Sequence, residues 1–305
     1  NNSQAFTTYA DGGAGANTLA ISYAGVSNLS DFVSRAFTNA GASTLDGSFT
    51  LVDANGGAID FKNFGYDASN ARYSFSVGAK TYYFNPIGGV FGDTLASSHA
   101  NKDMGGNKGA AYSTTGGEVA LFTTTQASTS GFNGSSTNLP GNPASLQISG
   151  STGRDLIKGA SGADTIHGNG GNDEIYAVGT GNSVYGDAGN DVVFLDSTTE
   201  LSTNTVLDGG AGSDTLYFAS TPGVIVDMAS LGVAMNFENL VGTFTNDSLT
   251  GDGSKNVLFG VLGDDSLYGA GGDDTLYGDW GALLADSAAY GLSQGGNYSN
   301  DGNDM

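Results

Sequence analysis

The chain has 305 residues, no cysteine and a net charge of −22, with 31 Asp and Glu against nine Lys and Arg. Without cysteine there is no disulfide framework and no thiolate metal site, and so acidic a balance argues against nucleic acid or anionic membrane as partner. No apolar run approaches the roughly 18 residues of a membrane span, and no basic stretch followed by an apolar one marks a signal peptide.

From the N-terminus, Leu19, Ile21 and Tyr23 alternate as on a strand. Leu29 to Ala40 then reads as a helix, capped by Asn28 or Ser30, with Phe32, Val33, Ala36, Phe37 and Ala40 on one face and Gly41 as its stop. After Ser48 the apolar period falls to two: Phe49 and Leu51, Ile59 and Phe61, then Tyr73, Phe75 and Val77. A turn over Val77 to Lys80 returns the chain through Tyr82, Tyr83 and Phe84, and Val119, Leu121 and Phe122 suggest a further strand. Residues 1–122 are therefore expected to form an α+β domain. Residues 123–149, rich in Ser, Thr, Asn, Gly and Pro, read as a linker.

From Gly150 the chain repeats every nine residues: GSTGRDLIK, GASGADTIH, GNGGNDEIY, AVGTGNSVY, GDAGNDVVF. An isolated unit follows at Gly209 (GGAGSDTLY), and four more run from Gly242 to Tyr277. Glycine recurs at the first place, and at the fourth in Gly153, Gly162, Gly171, Gly189, Gly212, Gly263 and Gly272. A carboxylate or amide holds the sixth: Asp155, Asp164, Asp173, Asn182, Asp191, Asp214, Asp247, Asn256, Asp265 and Asp274. A branched apolar residue holds the eighth, from Ile157 to Leu276. One apolar side chain per short strand cannot make a core, so the units must stack as alternating turns and strands. Two units close one coil. Turns eighteen residues apart then share an edge, which stacks Asp155, Asp173 and Asp191, and pairs Asp164 with Asn182, Asp247 with Asp265 and Asn256 with Asp274.

Residues 150–305 carry a net −19 and residues 1–149 only −3, so the acidity lies in the repeats. Carboxylates stacked a strand spacing apart need a cation between them, and carboxylates plus turn carbonyls suit calcium. The sixth-place residues are its expected ligands, with the turn glycines supplying carbonyls. The residues expected to interrupt the roll are 195–208, 218–241 and 278–299, the last containing Trp280.

These repeats resemble those of the RTX family of secreted bacterial proteins, through their register and the linking phrase Phe237-Glu238-Asn239-Leu240. The resemblance implies a right-handed parallel β-roll folded by several calcium ions, export by a type I system, and an extracellular or cell-surface location. Residues 19–99 resemble the HasA haemophores through LAISY, the helix after it, and Tyr82-Tyr83-Phe84-Asn85-Pro86. That likeness implies Tyr82 or Tyr83 as a haem ligand. The sequence departs from it at Gly88, where a supporting His would stand, and in a loop, Thr38 to Leu45, without His.

A zinc-protease pattern is missing: there is no HExxH, and the histidines are His99 and His167. The chain reads as a secreted, non-enzymatic calcium-binding protein with a structural, surface-layer or adhesive role. Its partners would be calcium, copies of itself, or a cell-surface glycan or protein. A haem- or ligand-binding module and the non-catalytic part of a larger RTX enzyme are the alternatives. Asn1 in place of Met, and Met305 within another turn, read as a piece of a longer protein.

Overall fold

The computed structural model describes residues 6–14, 16–39, 47–65, 73–84, 110–113, 115–124, 130–133, 145–196, 198–219 and 222–279. Among them helix is confined to Thr199–Thr203 and to single 3-10 turns at Leu29–Asp31 and Met228–Ser230. The rest of the regular structure is β.

The N-terminal part is two sheets facing each other across an aromatic core. The first contains Thr7–Asp11, Ala58–Lys62, Gly47–Asp53, Phe32–Asn39 and Thr123–Thr124 in that spatial order. The second begins with Ala20–Ile21, Tyr73–Val77, Lys80–Phe84, Ala110–Ser113 and Glu118–Leu121. Phe37, Phe49, Phe61, Phe75, Phe84 and Phe122 fill the space between them, with Phe49 stacked on Phe61 at 4.7 Å between ring centres. The period-two strands read from the sequence are present, and Gly78 turns Tyr73–Val77 into Lys80–Phe84 with a φ of 58°.

Among the described residues of 1–122 the α+β expectation is not supported. Over residues 29–39 the expected helix is absent: after one 3-10 turn the chain runs as the strand Phe32–Asn39, antiparallel to Gly47–Asp53, and Ala40 lies outside the described residues. A register shift between Phe32 and Ser34 explains the misreading. It adds a residue between the inward Phe32 and Arg35, and alternation then resumes at Phe37, so inward positions fall at a spacing of three and then two. Such spacing imitates a helical stripe, while Val33, within that stripe, is half exposed. Gly41 lies outside the described residues.

The second sheet does not end with the sandwich. Glu118–Leu121 pairs in parallel with Gln147–Ser149, which pairs in parallel with Thr165–His167. The sheet continues through Ser183–Tyr185 and Val206–Asp208 to Ala234–Met235. Opposite it lies a parallel sheet of eight strands, from Ser130–Asn133 and Asp155–Lys158 to Val257–Val261 and Thr275–Asp279. Within residues 123–149, expected as linker, Thr123–Thr124, Ser130–Asn133 and Gln147–Ser149 are thus strands.

The coil repeat has the predicted length. Ile157 faces Ile175 and Ile166 faces Val184, eighteen residues on. The step lengthens where Thr199–Thr203 bulges out, so that Val193 faces Leu216. Between Phe218 and Asn239 the chain lays down two strands on the far side of the roll. Ala234–Met235 closes the long sheet, and Ile225–Asp227 opens a separate three-stranded sheet with Ser248–Thr250 and Ser266–Tyr268. One wall of the roll is therefore continuous and the other divided. Burial on both sides of so short a strand is what parallel pairing requires, and the eighth-place residues from Ile157 to Leu258 are fully buried.

Arg35 joins sandwich to roll. It is 1 % exposed. Its guanidinium donates to the carbonyls of Leu121 (2.9 Å), Phe32, Ser149 (3.2 Å) and Gly150, and to Ser149 Oγ (3.0 Å). Burial draws its pKa down to about 10 against the pull of the Asp155 and Glu118 charges, so it remains a cation at neutral pH. Replacing Arg35 by Met would leave these acceptors dry and unpaired, at a cost of about 3 kcal/mol or more. Urea unfolding in saturating calcium is the check: Arg35→Met should lower the midpoint strongly, while the exposed Val33→Thr should leave it nearly unchanged.

Candidate metal centre

The repeats place their sixth residue at the entrance of a strand, as its first residue at Asp155 and just before it in the others, at an edge where two coils meet. Its backbone N–H has no strand partner there, and the next coil supplies the acceptor. Asp155 N–H donates to Asp173 Oδ1, Asp173 N–H to Asp191 Oδ1, and Asp191 N–H to Asp214 Oδ1, each at 2.7 Å. Asp214 N–H donates in turn to Glu238 Oε2 at 2.8 Å. On the opposite edge Leu146, Asp164 and Asn182 donate to Asp164, Asn182 and Asn204. In the later block Asp247 N–H donates to Asp265 Oδ1 (2.8 Å) and Asn256 N–H to Asp274 Oδ1 (2.9 Å). The edge stacking and the pairs expected from the eighteen-residue rule are all present.

The second carboxylate oxygen divides these residues. At Asp155, Asp164 and Asp247 it accepts the N–H of the second place of the same turn, from Ser151, Ala160 and Thr243, each at 2.6 Å. At Asp173, Asp191 and Asp214 it has no hydrogen-bond partner although these residues are 1 %, 0 % and 0 % exposed. Asn256 Oδ1 takes the second-place N–H of Asp252, and Asn182 turns its amide to the Val178 carbonyl.

The glycines explain themselves at two places. A Cβ on first-place Gly186 would stand 2.3 Å from the Gly209 carbonyl oxygen and 2.5 Å from Asp191 Oδ2, so only glycine fits beside these two converging oxygens. At the fourth place Gly171, Gly189, Gly212, Gly263 and Gly272 have φ between 110° and 154°, a region open to glycine, whereas Gly153 does not. Gly162 sits in the turn before Asp164 without a positive φ.

Among the described residues no three Asp, Glu or His side chains converge on one point. A cation here would draw on one carboxylate per turn and on backbone carbonyls, the hard oxygen set that calcium accepts. Buried, unpartnered carboxylate oxygens facing carbonyls fit that ion, and Asp173, Asp191 and Asp214 are the residues that would hold it.

Their protonation follows from the same burial. Desolvation raises Asp155 to about 7, Asp191 to about 7 and Asp214 to about 6. Asp173 rises furthest, to about 9, through burial and then the charge of Asp155. Asp164 and Asp247 are also raised by burial.

Sequence reasoning passed over the fifth place. Asn172 and Asn190 Oδ1 accept the N–H groups of Asn190 and Ser213 from the following coil, at 2.9 and 3.0 Å, and Asn246 does the same for Asp264. The recurring Asn-Asp pair was the available signal. Glu238 and Asn204, which end the two rows, stand outside any nonapeptide; Glu238 lies in the linking phrase Phe237-Glu238-Asn239-Leu240, which did not mark it as an acceptor, and Asn204 carried no positional signal. His167 is half exposed, held by Asp187 at 3.0 Å and stacked on Tyr185; His99 lies outside the described residues.

The haem assignment is corrected. Tyr82 is fully buried, donates its hydroxyl to Glu118 Oε2 (2.7 Å) and accepts from Leu29 N–H (2.9 Å). Burial raises its pKa further. A hydroxyl so enclosed cannot reach iron. Tyr83, on the other side of the strand, is half-buried between Ser74 and Tyr112. The helix on which the haemophore likeness also rested is a strand. Burial works to raise Glu118, but hydrogen bonds from Lys80, Tyr82 and Ser30 outweigh it and keep its carboxyl below the ordinary range.

The raised carboxylates set a pH dependence. In the fold they hold protons that an unfolded chain, with Asp near 3.8, has released, so without calcium stability is greatest below that value. It falls as pH rises towards about 9, the value reached by Asp173. In EGTA the melting temperature of the roll should therefore be higher at pH 5 than at pH 8, and saturating calcium should flatten the difference. A calcium-free profile that rises with pH would contradict the buried, raised carboxylates.

A search of curated proteins finds no match to the chain. A family model, the RTX calcium-binding nonapeptide repeat, matches residues 149–179, 179–197, 202–220, 237–267 and 250–282. These segments coincide with the coils whose turns carry the carboxylate rows. The roll within residues 149–282 is an array of RTX calcium-binding nonapeptide repeats.

Proposed function

We propose that the chain is a secreted, non-catalytic calcium-binding protein whose roll folds as calcium enters the turns, and that it serves as an extracellular structural, surface-layer or adhesive component. The observation that carries this reading is the row of buried carboxylates at Asp173, Asp191 and Asp214, each with an oxygen that no protein group satisfies. Such a row is poorly compatible with a cation-free fold at neutral pH. A low-calcium cell interior and a millimolar exterior would then separate an unfolded from a folded roll. Each site of roughly 0.1 mM affinity in roughly 1 mM calcium adds about 1.4 kcal/mol, repeated along the array.

Export by a type I route is what RTX repeats imply, and no helix among the described residues is long and apolar enough to cross a membrane. A non-catalytic role is supported by the uses already found for the polar groups. The sixth-place acids are held in the coil edges, Glu118 is saturated by Lys80, Tyr82 and Ser30, and His167 is paired outward with Asp187.

Circular dichroism in excess EGTA at pH 8, where the calcium-free roll is the less stable, should show loss of β signal that calcium restores, and an unchanged spectrum would remove the calcium-folded reading. Light scattering with negative-stain imaging during the same titration addresses the role. Ordered sheets or filaments that dissolve in EGTA would support a surface-layer or fibre subunit, and a compact monomer throughout would favour an adhesive module.

A further inference from the structure

We infer that calcium is held only in those turns whose second and fourth residues are both left-handed, and that the remaining turns of the array are closed by their own backbone and take none. This rests on the calcium-binding reading and assigns its sites. The turns of the described nonapeptides that carry an acid or amide against a second-place N–H are one class. In the turns starting at Gly150, Gly159, Gly242 and Gly251, neither the second nor the fourth place has a positive φ. There the second-place N–H points inward and occupies the side-chain oxygen of Asp155, Asp164, Asp247 or Asn256.

The turns starting at Gly168, Gly186 and Gly209 form the other class. Their second places, Asn169, Asp187 and Gly210, have φ of 70°, 70° and 100°, and their fourth places are the left-handed Gly171, Gly189 and Gly212. Here the inward N–H contact is absent and Oδ2 of Asp173, Asp191 and Asp214 is buried without a partner. The first-place carbonyl has turned as well. Gly150 O, in a closed turn, accepts from Asn169 Nδ2 of the following coil. Gly168, Gly186 and Gly209 instead direct their oxygens at the first-place glycine of the preceding coil. A left-handed second place thus exchanges an inward donor for an inward acceptor, which is the change a cation requires.

Two further observations agree. The turns at Gly260 and Gly269 share the left-handed state through Val261 (93°) and Ala270 (67°), conformations that side chains disfavour, and they too carry Asp at the sixth place. The amides Asn182 and Asn256 fall only in turns outside this class, where an uncharged group satisfied by the chain suffices. In the first closed turn, Arg35 on Gly150 O supplies positive charge from the protein itself.

The test is calcium counting on the intact chain by native mass spectrometry, with circular dichroism and melting in calcium to confirm folding. Asp173→Asn, Asp191→Asn and Asp214→Asn should each remove one bound calcium or weaken it at least tenfold. Asp164→Asn and Asp247→Asn should leave the count unchanged, as Asn256 already does in a closed turn. Two closed-turn variants are used because they lie in different blocks, so one can fail to fold without leaving the question open. Equal calcium loss in open- and closed-turn variants would overturn the assignment while leaving calcium binding intact. A wild-type chain that binds no calcium would remove the assignment and the functional reading together.

Discussion

The structure depends on one interaction: a backbone N–H at the edge of a coil donating to a carboxylate or amide oxygen from the next coil. Strands of three or four residues leave the N–H of the sixth-place residue at their entrance without a ladder partner, and in a dry edge that donor must be satisfied. Using a side chain from the following turn does two things. It fixes the stacking register, because the acceptor reaches only the residue one coil back. It also drags a carboxylate out of water, so the connection that joins coils creates the charge that the edge must then neutralise.

The sandwich gives the roll its first surface. Its second sheet changes from antiparallel to parallel pairing at Glu118–Leu121 and passes without interruption into coil strands. The buried Glu118 stands at this changeover and ties Ser30, Lys80 and Tyr82 together. The hydroxyl that resembled a haem ligand is therefore a structural bond between the 3-10 turn and the sheet. The bulged strand that resembled a helix is what carries Arg35 to the junction.

The roll was legible in the sequence because its determinants are local and repeated. Ile157, Ile166 and Ile175 announce the strand interior, and the glycine and aspartate places announce the turns, so coil length and edge stacking follow by counting. Residues 1–122 were less legible. Alternation revealed Phe49, Phe61 and Phe75, but the shifted register after Phe32 is a pairing property that no single strand records. The two turn states were also out of reach. Gly153 and Gly162 can adopt a left-handed φ and do not, while Val261 and Ala270 resist it and do. Contacts with the neighbouring coil override the residue's own preference at these places.

A stack of identical coils has no inherent beginning: each interface is as good a nucleus as any other. The guanidinium of Arg35 removes that equivalence. It gathers carbonyls from the sandwich and from Ser149 and Gly150, so the first coil is held to an existing surface by a charge that is present at neutral pH with or without calcium. The costly step of ordering a coil with nothing beneath it is thereby bypassed at one end. Growth of the array acquires a direction, outward from the sandwich, and a molecule caught half assembled would be ordered next to Gly150 and unravelled at its far end.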